Sequence, residues 1–193
     1  MRGALIVVSG PSGAGKSTLI RAALAAVPEL GYSVSATTRE PREGEVNGRD
    51  YIFLSREEFE RWIEAGKFLE WAEYSGNLYG TPEAKVEEFL ADGRSVILEI
   101  ELQGARLVRE KRPDAEMVFV RAPSLEETRK RLEGRKTETG DAVETRMATA
   151  ELEVAARSEF DYEVVNRDRE QATQEMISLM KRIVESARQG ARR

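Results

Sequence analysis

The sequence predicts an α/β fold, a parallel sheet flanked by helices, and two observations support this prediction. Short apolar runs of buried-strand length alternate along the chain with segments whose apolar residues recur at helical spacing. The first run, residues 4–8, leads into a glycine-rich turn and then into a helical segment at 18–24. Chains that alternate in this way form parallel sheets whose ligands bind at the carboxyl edge of the strands.

The glycine-rich turn carries the clearest chemical signal. Residues 10–17 read GPSGAGKS and match the pattern G-x-x-x-x-G-K-S/T without departure. Glycines let the backbone fold around an anion, and the helix that follows points its positive dipole end at the same place. In this pattern Lys16 reaches the β- and γ-phosphates of a nucleoside triphosphate, and the Ser17 hydroxyl is a Mg²⁺ ligand. The flanking strand and helix argue against a chance glycine turn. The predicted triphosphate site comprises Gly10, Pro11, Ser12, Gly13, Ala14, Gly15, Lys16, Ser17 and Thr18.

The amino-acid composition limits the classes of function that the chain can have. The 193 residues suit one domain with small insertions, and 40% hydrophobic with 34% charged residues is typical of a globular protein. A formal net charge of -5 argues against a general nucleic-acid or membrane-surface binder. Because histidine and cysteine are absent, any bound metal is expected to be an oxygen-loving ion such as Mg²⁺. The short apolar run at the amino terminus favours the cytoplasm over secretion. Either a monomer or a homodimer is compatible with the sequence.

A group of short strands within residues 33–90 predicts an inserted lobe. Strands are expected at 33–36, 51–54 and 68–74. Residues 37–50 between the first two strands are polar, rich in turn residues and carry three arginines, for which an exposed loop is the simpler interpretation.

Helix starts are marked by capping patterns. Three pairs have the capping spacing: Ser55 and Glu58, Ser124 and Glu127, and Asp141 and Glu144. The helix that begins after Ser55 is expected to bury Phe59, Trp62 and Ile63. Thr81 followed by Pro82 predicts an N-cap and a first helical residue.

Parallel-sheet strands are predicted again in the second half, at 96–100, 117–120 and 162–165. Glu99 and Glu101 stand at the end of the first of these strands.

Three stretches beyond the glycine-rich turn resemble one enzyme family in order and spacing. They are residues 35–51 (SATTREPREGEVNGRDY), 68–72 (FLEWA) and 76–81 (GNLYGT), and they are similar to guanylate kinase, the nucleoside monophosphate kinase that phosphorylates GMP. Residues 131–135 (RLEGR) and 165–168 (VNRD) match that family's lid and late nucleotide loop. The resemblance covers residues 3–185, nearly the whole chain.

The resemblance implies the nucleoside monophosphate kinase fold with a phosphate loop. Its core would be residues 3–32 and 93–187, its GMP-binding lobe about 33–90 and its lid about 133–146. The implied reaction is ATP-dependent, with Mg²⁺ accompanying ATP, and converts GMP, and dGMP as well, to the diphosphate with release of ADP. That reaction belongs to purine nucleotide metabolism and GMP recycling.

The resemblance also assigns the GMP site residue by residue. The GMP phosphate is assigned to Arg39, Arg42, Tyr51 and Tyr79, and the guanine base to Ser35, Glu70, Thr81 and Glu101. Guanidinium forks and phenols suit a phosphate, and a carboxylate suits the N–H donors of guanine. An outward-facing position on an amphipathic strand is the alternative for Glu70. The resemblance also counts Glu99 among the substrate-binding residues. Glu99 and Glu101 stand where the family usually has aspartate, which leaves the contact geometry at Glu101 open.

Lid and adenine contacts follow from the same resemblance. Lys16, Arg131, Arg135 and Arg146 are assigned to the transferring phosphoryl group, and Asn166 to the adenine of ATP. For Arg131 and Arg135, favourable charges near a helix carboxyl end are the simpler alternative. Lys136 replaces the second glycine of the family's lid sequence.

Two other functions remain open at this stage. Guanylate-kinase-like domains of scaffold proteins bind peptides, but they lack a working phosphate loop, and the loop here is complete. Another monophosphate kinase would share the phosphate loop, but Ser35, Glu70 and Thr81 favour guanine.

Overall fold

Two sheets and their helices make up this computed structural model, which describes residues 3–74, 76–134 and 140–190, with the backbone alone for 140–142. The strands are β1 (Leu5–Ser9), β2 (Leu30–Tyr32), β3 (Ala36–Thr37), β4 (Ile52–Phe53), β5 (Phe68–Tyr74), β6 (Asn77–Pro82), β7 (Ser95–Glu99), β8 (Glu116–Arg121) and β9 (Tyr162–Val165). The helices are α1 (Lys16–Ala26), α2 (Arg56–Glu64), α3 (Glu83–Ala91), α4 (Leu102–Lys111), α5 (Leu125–Glu133), α6 (Gly140–Ala155) and α7 (Arg169–Gly190), with a 3₁₀ turn at Ala156–Glu159.

The central sheet has five strands in the order β2-β7-β1-β8-β9, and every pairing in it is parallel. All five residues of β1 are buried, because helices cover both faces of the sheet. Ile6 and Val8 pack against α1 and α7, whereas Leu5 and Val7 pack towards α3 and α4. The predicted parallel α/β fold is therefore confirmed, and β1 lies at its centre.

The smaller sheet has the order β4-β3-β6-β5 and mixes parallel with antiparallel pairs. Helix α2 covers it through Phe59, whose ring stacks on that of Phe68 with centroids 4.4 Å apart. The predicted capping box of Ser55 and Glu58 is present at the start of α2. Phe59 is buried as predicted, whereas Trp62 is only half-buried, as is the neighbouring Ile63. The division of the chain into core, lobe and lid at the bounds given above stays a prediction.

The strand predicted at 33–36 is wrong. The chain forms β2 at Leu30–Tyr32, before the predicted range and in the central sheet, and β3 begins only at Ala36 in the smaller sheet. Glycine weakens a strand, so Gly31 is not an expected strand residue. Its place in β2 has a physical reason: a Cβ there would lie 2.4 Å from the Phe89 ring. The aromatic ring of a distant helix therefore occupies the space of the missing side chain. Residues 33–35 connect the two sheets.

The predicted cap at Thr81 is also wrong. Strand β6 continues through Pro82, which occupies the N-cap position of α3 and makes no side-chain capping bond. The Thr81 hydroxyl donates instead to Glu70 Oε1 at 2.6 Å. A hydroxyl contributes more by satisfying a buried carboxylate than by capping a helix that water can also cap.

The third capping pair has a different role from the one predicted. Helix α6 begins at Gly140, before Asp141, whose side chain lies outside the described residues. The Glu144 carboxylate accepts two hydrogen bonds from Arg129 of α5, at 2.5 and 3.2 Å. At the other predicted box, the Ser124 hydroxyl accepts from the Glu127 amide as expected. No helix in the described part of the chain is long and apolar enough to cross a membrane.

Truncation of Phe59 tests the packing of α2 on the smaller sheet. Phe59→Ala removes a fully buried ring and is expected to lower the free energy of unfolding by about 3–5 kcal/mol. Chemical denaturation followed by circular dichroism measures this loss. The control is Glu64→Ala on the exposed side of the same helix, which should change stability by less than ~0.5 kcal/mol. Equal losses in the two variants would contradict this packing.

Candidate active site

The glycine-rich turn adopts a backbone that its glycines make accessible. Gly10, Gly13 and Gly15 have φ of 134°, 83° and 92°, in the region that favours glycine. Neighbouring strands also approach closely: a Cβ on Gly10 would lie 1.9 Å from the Val120 carbonyl oxygen, and one on Gly15 would lie 2.4 Å from Asn166 Nδ2. The loop is therefore held against β8 and the segment after β9, and it leads directly into α1.

Lys16 and Ser17 stand at the first turn of α1. The Lys16 ammonium is mostly buried and donates to the carbonyl oxygens of Gly10 and Pro11, so it folds back over the loop. The Ser17 hydroxyl donates to Glu99 Oε1 at 2.7 Å, which ties the helix start to the end of β7. An ammonium and two side-chain oxygens thus lie together at one edge of the sheet, at the start of a helix, an arrangement that suits a metal-associated phosphate.

A cavity of about 910 Å³ opens beside this loop and reaches the smaller sheet. The predicted site residues that line it are Pro11, Ser12, Gly13, Gly15, Lys16, Ser17, Thr18, Ser35, Arg42, Tyr51, Glu99, Glu101 and Arg146. The described site residues outside its lining are Gly10, Ala14, Arg39, Glu70, Tyr79, Thr81, Arg131 and Asn166. The triphosphate loop and part of the predicted GMP site therefore face the same space.

An arginine–glutamate pair organises the polar segment 37–50. Arg39 Nη2 donates to both carboxylate oxygens of Glu45, at 2.9 and 3.0 Å, and the Arg42 amide donates to Glu45 Oε2 at 2.7 Å. The Arg39 guanidinium lowers the pKa of Glu45, so this carboxylate stays ionised. The segment is thus a folded loop with its own internal ion pair.

Tyr51 and Tyr79 lie beside this ion pair. Their rings meet edge to face with centroids 6.2 Å apart, and the Arg39 guanidinium carbon lies 5.3 Å from the centre of the Tyr51 ring. Burial raises the pKa of the Tyr51 phenol, which therefore keeps its proton as a donor. The Arg39 guanidinium and two phenols are gathered here, and Arg42 lines the cavity nearby; this donor set suits a phosphate.

Glu70 lies inside the protein, so the outward-facing alternative is wrong. Its side chain is 4% exposed, and the Thr81 hydroxyl donates to it from the opposite strand. Burial raises the pKa of the carboxyl, while the Thr81 hydrogen bonds and the positive charge of Lys111 lower it. Gly104 of α4 makes room for the group, since a Cβ there would lie 2.6 Å from Glu70 Oε2.

Comparison with known proteins identifies the family. A family model described as guanylate kinase matches residues 2–183. The chain belongs to the guanylate kinase family. A guanylate kinase from Rubrobacter xylanophilus is 79% identical over 183 residues, covering 95% of this chain and 96% of the relative. One from Synechocystis is 48% identical over 180 residues, covering 93% and 94%. The crystal structure of guanylate kinase from Anaplasma phagocytophilum superposes with a TM-score of 0.76 at 32% identity, covering 93% of this chain and 85% of that one.

Family membership confirms the resemblance, the fold class and the prediction of a kinase. The roles of individual guanylate kinase residues are not tested by these comparisons and stay predictions.

The arginines assigned to the transferring group are placed differently from one another. Arg146 lines the cavity, and its Nη1 lies 3.5 Å from Ser12 Oγ of the phosphate loop. Arg131 Nε donates to Glu127 at 2.8 Å, and its Nη2 donates to the Asn166 carbonyl at 2.9 Å. Arg135, like Lys136 beside it, lies outside the described residues.

Asn166 holds the phosphate loop through a hydrogen bond to its backbone. Its Nδ2 donates to the Ala14 carbonyl at 2.8 Å, and its side chain is almost fully buried. The described contact is thus to the loop backbone, and the role towards adenine stays a prediction.

Two acidic residues near the predicted site residues, Glu45 and Glu153, were missed in the sequence analysis. Glu45 is one of several acidic residues in a polar loop. The only sequence signal for its role was its position three residues after Arg42, a spacing at which a side chain can accept from the backbone amide within a turn. Glu153 lies on α6 and is 5% exposed, and burial together with the charge of Glu101 raises its pKa to about 8. Its signal was faint, because it stands among exposed acids on a helix with little amphipathic contrast.

Substitution of Gly15 tests how closely the phosphate loop is held. Gly15→Ala combines a positive φ with a contact at 2.4 Å and is expected to weaken ATP binding at least about tenfold. Gly44→Ala is the matched control, since its φ is 83° but no atom lies within 4 Å. That variant should lose about 1–3 kcal/mol of stability through strain alone and keep its ATP affinity. Titration with a fluorescent ATP analogue measures both, and unchanged ATP affinity in Gly15→Ala would contradict the expected crowding.

Proposed function

We propose that this member of the guanylate kinase family transfers the γ-phosphoryl group of ATP to GMP, and also to dGMP, and releases ADP. ATP binds at residues 10–18 and GMP binds at the smaller sheet and the segment 37–50. The observation that supports this most directly is the cavity contacted both by Lys16 and Ser17 and by Arg42 and Tyr51. Phosphoryl transfer between two nucleotides requires such a shared space, because donor and acceptor must meet in line.

The reaction needs positioning and charge neutralisation more than proton transfer. A nucleoside monophosphate brings its own anionic nucleophile, so the absence of histidine is no obstacle. Lys16 and Arg146 both line the cavity and carry the positive charge that the transferring group requires. A well-placed arginine contributes about 10³–10⁵ in rate to such reactions.

Mg²⁺ fits the donor set beside the phosphate loop. The Ser17 hydroxyl and the Glu99 carboxylate supply oxygens, the ligand type that this ion prefers. Among the described residues no cluster of three or more acidic, histidine or cysteine side chains forms a metal cage. Ser17 would therefore hold the ion together with nucleotide phosphates and water, and the ion would neutralise charge on the β- and γ-phosphates.

Guanine is selected by buried polar groups. Glu70 accepts from the Thr81 hydroxyl and has a second carboxylate oxygen for the N–H donors of guanine. Ser35 lines the cavity and offers a hydroxyl to the O6 acceptor. Adenine presents the reverse pattern and would leave these groups unpaired in a dry site, which can discriminate by about 10⁴.

A location in the cytoplasm and the oligomeric state stay predictions from the sequence.

The deciding experiment is a coupled ADP-release assay with GMP, dGMP, AMP, CMP and UMP in turn. We expect GMP to be preferred over the bases other than guanine by about 10⁴ in kcat/KM, with dGMP as a second substrate. Omission of the monophosphate controls for hydrolysis of ATP. A higher kcat/KM for any base other than guanine would overturn the proposed function.

Glu70→Gln tests the base site separately from the ATP site. The amide places a donor where the guanine donors need an acceptor, so KM for GMP is expected to rise by about ten- to a hundredfold, with KM for ATP within twofold. Glu73→Gln, on the exposed face of the same strand, is the control and should behave as wild type. Steady-state kinetics with each substrate varied in turn measures both constants. A rise in KM for ATP alone would show that Glu70 serves the other nucleotide.

A further inference from the structure

A glycine of α4 lies directly against the Glu70 carboxylate. Gly104 is buried in the first turn of that helix, and a Cβ built on it would lie 2.6 Å from Glu70 Oε2 and 3.2 Å from the carboxyl carbon. Non-bonded carbon atoms have their most favourable contacts at about 3.5–4.0 Å. A side chain of any size at this position would therefore overlap the carboxylate.

The backbone of Gly104 does not explain why a glycine stands there. Its φ lies outside the left-handed region, so the conformation would admit other residues. A glycine within a helix also makes the helix less stable than an alanine would. The nearest atoms in the space that it leaves belong to Glu70, followed by the Ile100 side chain at 3.5 Å. The glycine therefore costs helix stability and makes room for one acidic group.

Glu70 has little freedom to move away from an added side chain. Its Oε1 accepts from the Thr81 hydroxyl at 2.6 Å, and the side chain is 4% exposed. One residue earlier, the Leu69 carbonyl accepts from the ammonium of Lys111, which lies at the other end of α4, at 2.5 Å. Strand β5 is thus tied to α4 next to the carboxylate, and a shift of the strand would break this hydrogen bond.

We propose that Gly104 is a positioning residue, which by its lack of a side chain keeps the Glu70 carboxylate in the orientation that accepts from the N–H donors of guanine. The inference rests on the proposed function, in which Glu70 contacts the base. A glutamate side chain has three rotatable bonds, and ordering it when GMP binds would cost entropy. A carboxylate that α4 and Thr81 already hold in place loses less freedom, so more of the GMP binding energy is retained.

A packing role and a positioning role have different consequences. If Gly104 only lets α4 approach β5, an added methyl group lowers stability and affects both substrates alike. If Gly104 positions Glu70, the methyl group displaces the carboxylate and raises KM for GMP, whereas ATP binding at residues 10–18 is unchanged. A shorter acid at position 70 would then tolerate the methyl group.

The experiment compares Gly104→Ala with Gly190→Ala, the same exchange at the end of α7, where an added Cβ meets no atom within 4 Å. Steady-state kinetics are measured with GMP, AMP and ATP varied in turn. Gly104→Ala should raise KM for GMP about tenfold and leave kcat and KM for ATP within about twofold of wild type. The preference for GMP over AMP should fall by about the same factor. Gly190→Ala should match wild type in every constant.

Glu70→Asp provides a rescue, because its side chain is shorter by one methylene and withdraws the carboxylate from Gly104. Glu70→Asp alone is expected to raise KM for GMP. Adding Gly104→Ala in that background should raise KM for GMP further by less than about twofold, compared with about tenfold in the wild-type background. Such non-additivity is typical of residues in direct contact.

Thermal denaturation without substrates provides a readout independent of activity. Gly104→Ala should change the melting temperature more favourably in the Glu70→Asp background than in the wild-type background, because the methyl group no longer overlaps Oε2. Gly190→Ala should produce the same shift in both backgrounds.

The possible outcomes are distinguishable. An unchanged KM for GMP in Gly104→Ala, an equal increase in KM for ATP, or equal increases in KM for GMP in the two backgrounds would overturn the role of Gly104. If Gly104→Ala does not fold, the double variant with Glu70→Asp decides: a folded protein with the KM of Glu70→Asp supports the role, and a second failure to fold overturns it. A wild-type enzyme that does not phosphorylate GMP would overturn the proposed function instead, and the melting temperatures would still test the contact between Gly104 and Glu70.

Discussion

The buried strand β1 and its parallel neighbours determine where the phosphate loop can form. β7 ends at Glu99, which accepts from Ser17, and β8 supplies the carbonyl that approaches Gly10. The segment after β9 supplies Asn166, which donates to Ala14. Because parallel strands all end at the same edge, each neighbouring strand or the segment after it contributes one contact that supports the loop.

The smaller sheet uses a different principle, in which side chains hold one another. Glu45 holds Arg39 and the Arg42 amide, and Thr81 holds Glu70 across two strands. These bonds orient charged groups that would otherwise be desolvated without a partner, which costs more than a typical hydrogen bond contributes. The phosphate loop therefore depends on backbone geometry, whereas the smaller sheet and the segment 37–50 depend on pairs of side chains.

Local patterns in the sequence predicted local structure well. Strands β5 and β9, the cap at Ser55 and the whole phosphate loop follow from short-range periodicity and from a motif whose spacing has a physical reason. The errors arose where the local structure depends on contacts with residues distant in sequence. At Gly31 the Phe89 ring occupies the space that a side chain would need, so a glycine stands in the strand. The Thr81 hydroxyl does not cap α3 but donates to the carboxylate of Glu70, eleven residues earlier in the chain. The burial of Glu153 beside Glu101 depends on how α6 packs, which no local pattern encodes.

Both tryptophans of the chain, Trp62 and Trp71, lie in the smaller sheet and its helix, and the five-stranded sheet contains neither. Trp62 packs on Phe68, with ring centroids 5.6 Å apart, whereas Trp71 is 41% exposed and directly follows Glu70 in β5. The tryptophan fluorescence of this protein therefore originates in the smaller sheet and its helix. Emission excited at the indole band reports on the smaller sheet and α2, with no signal from the phosphate loop to subtract.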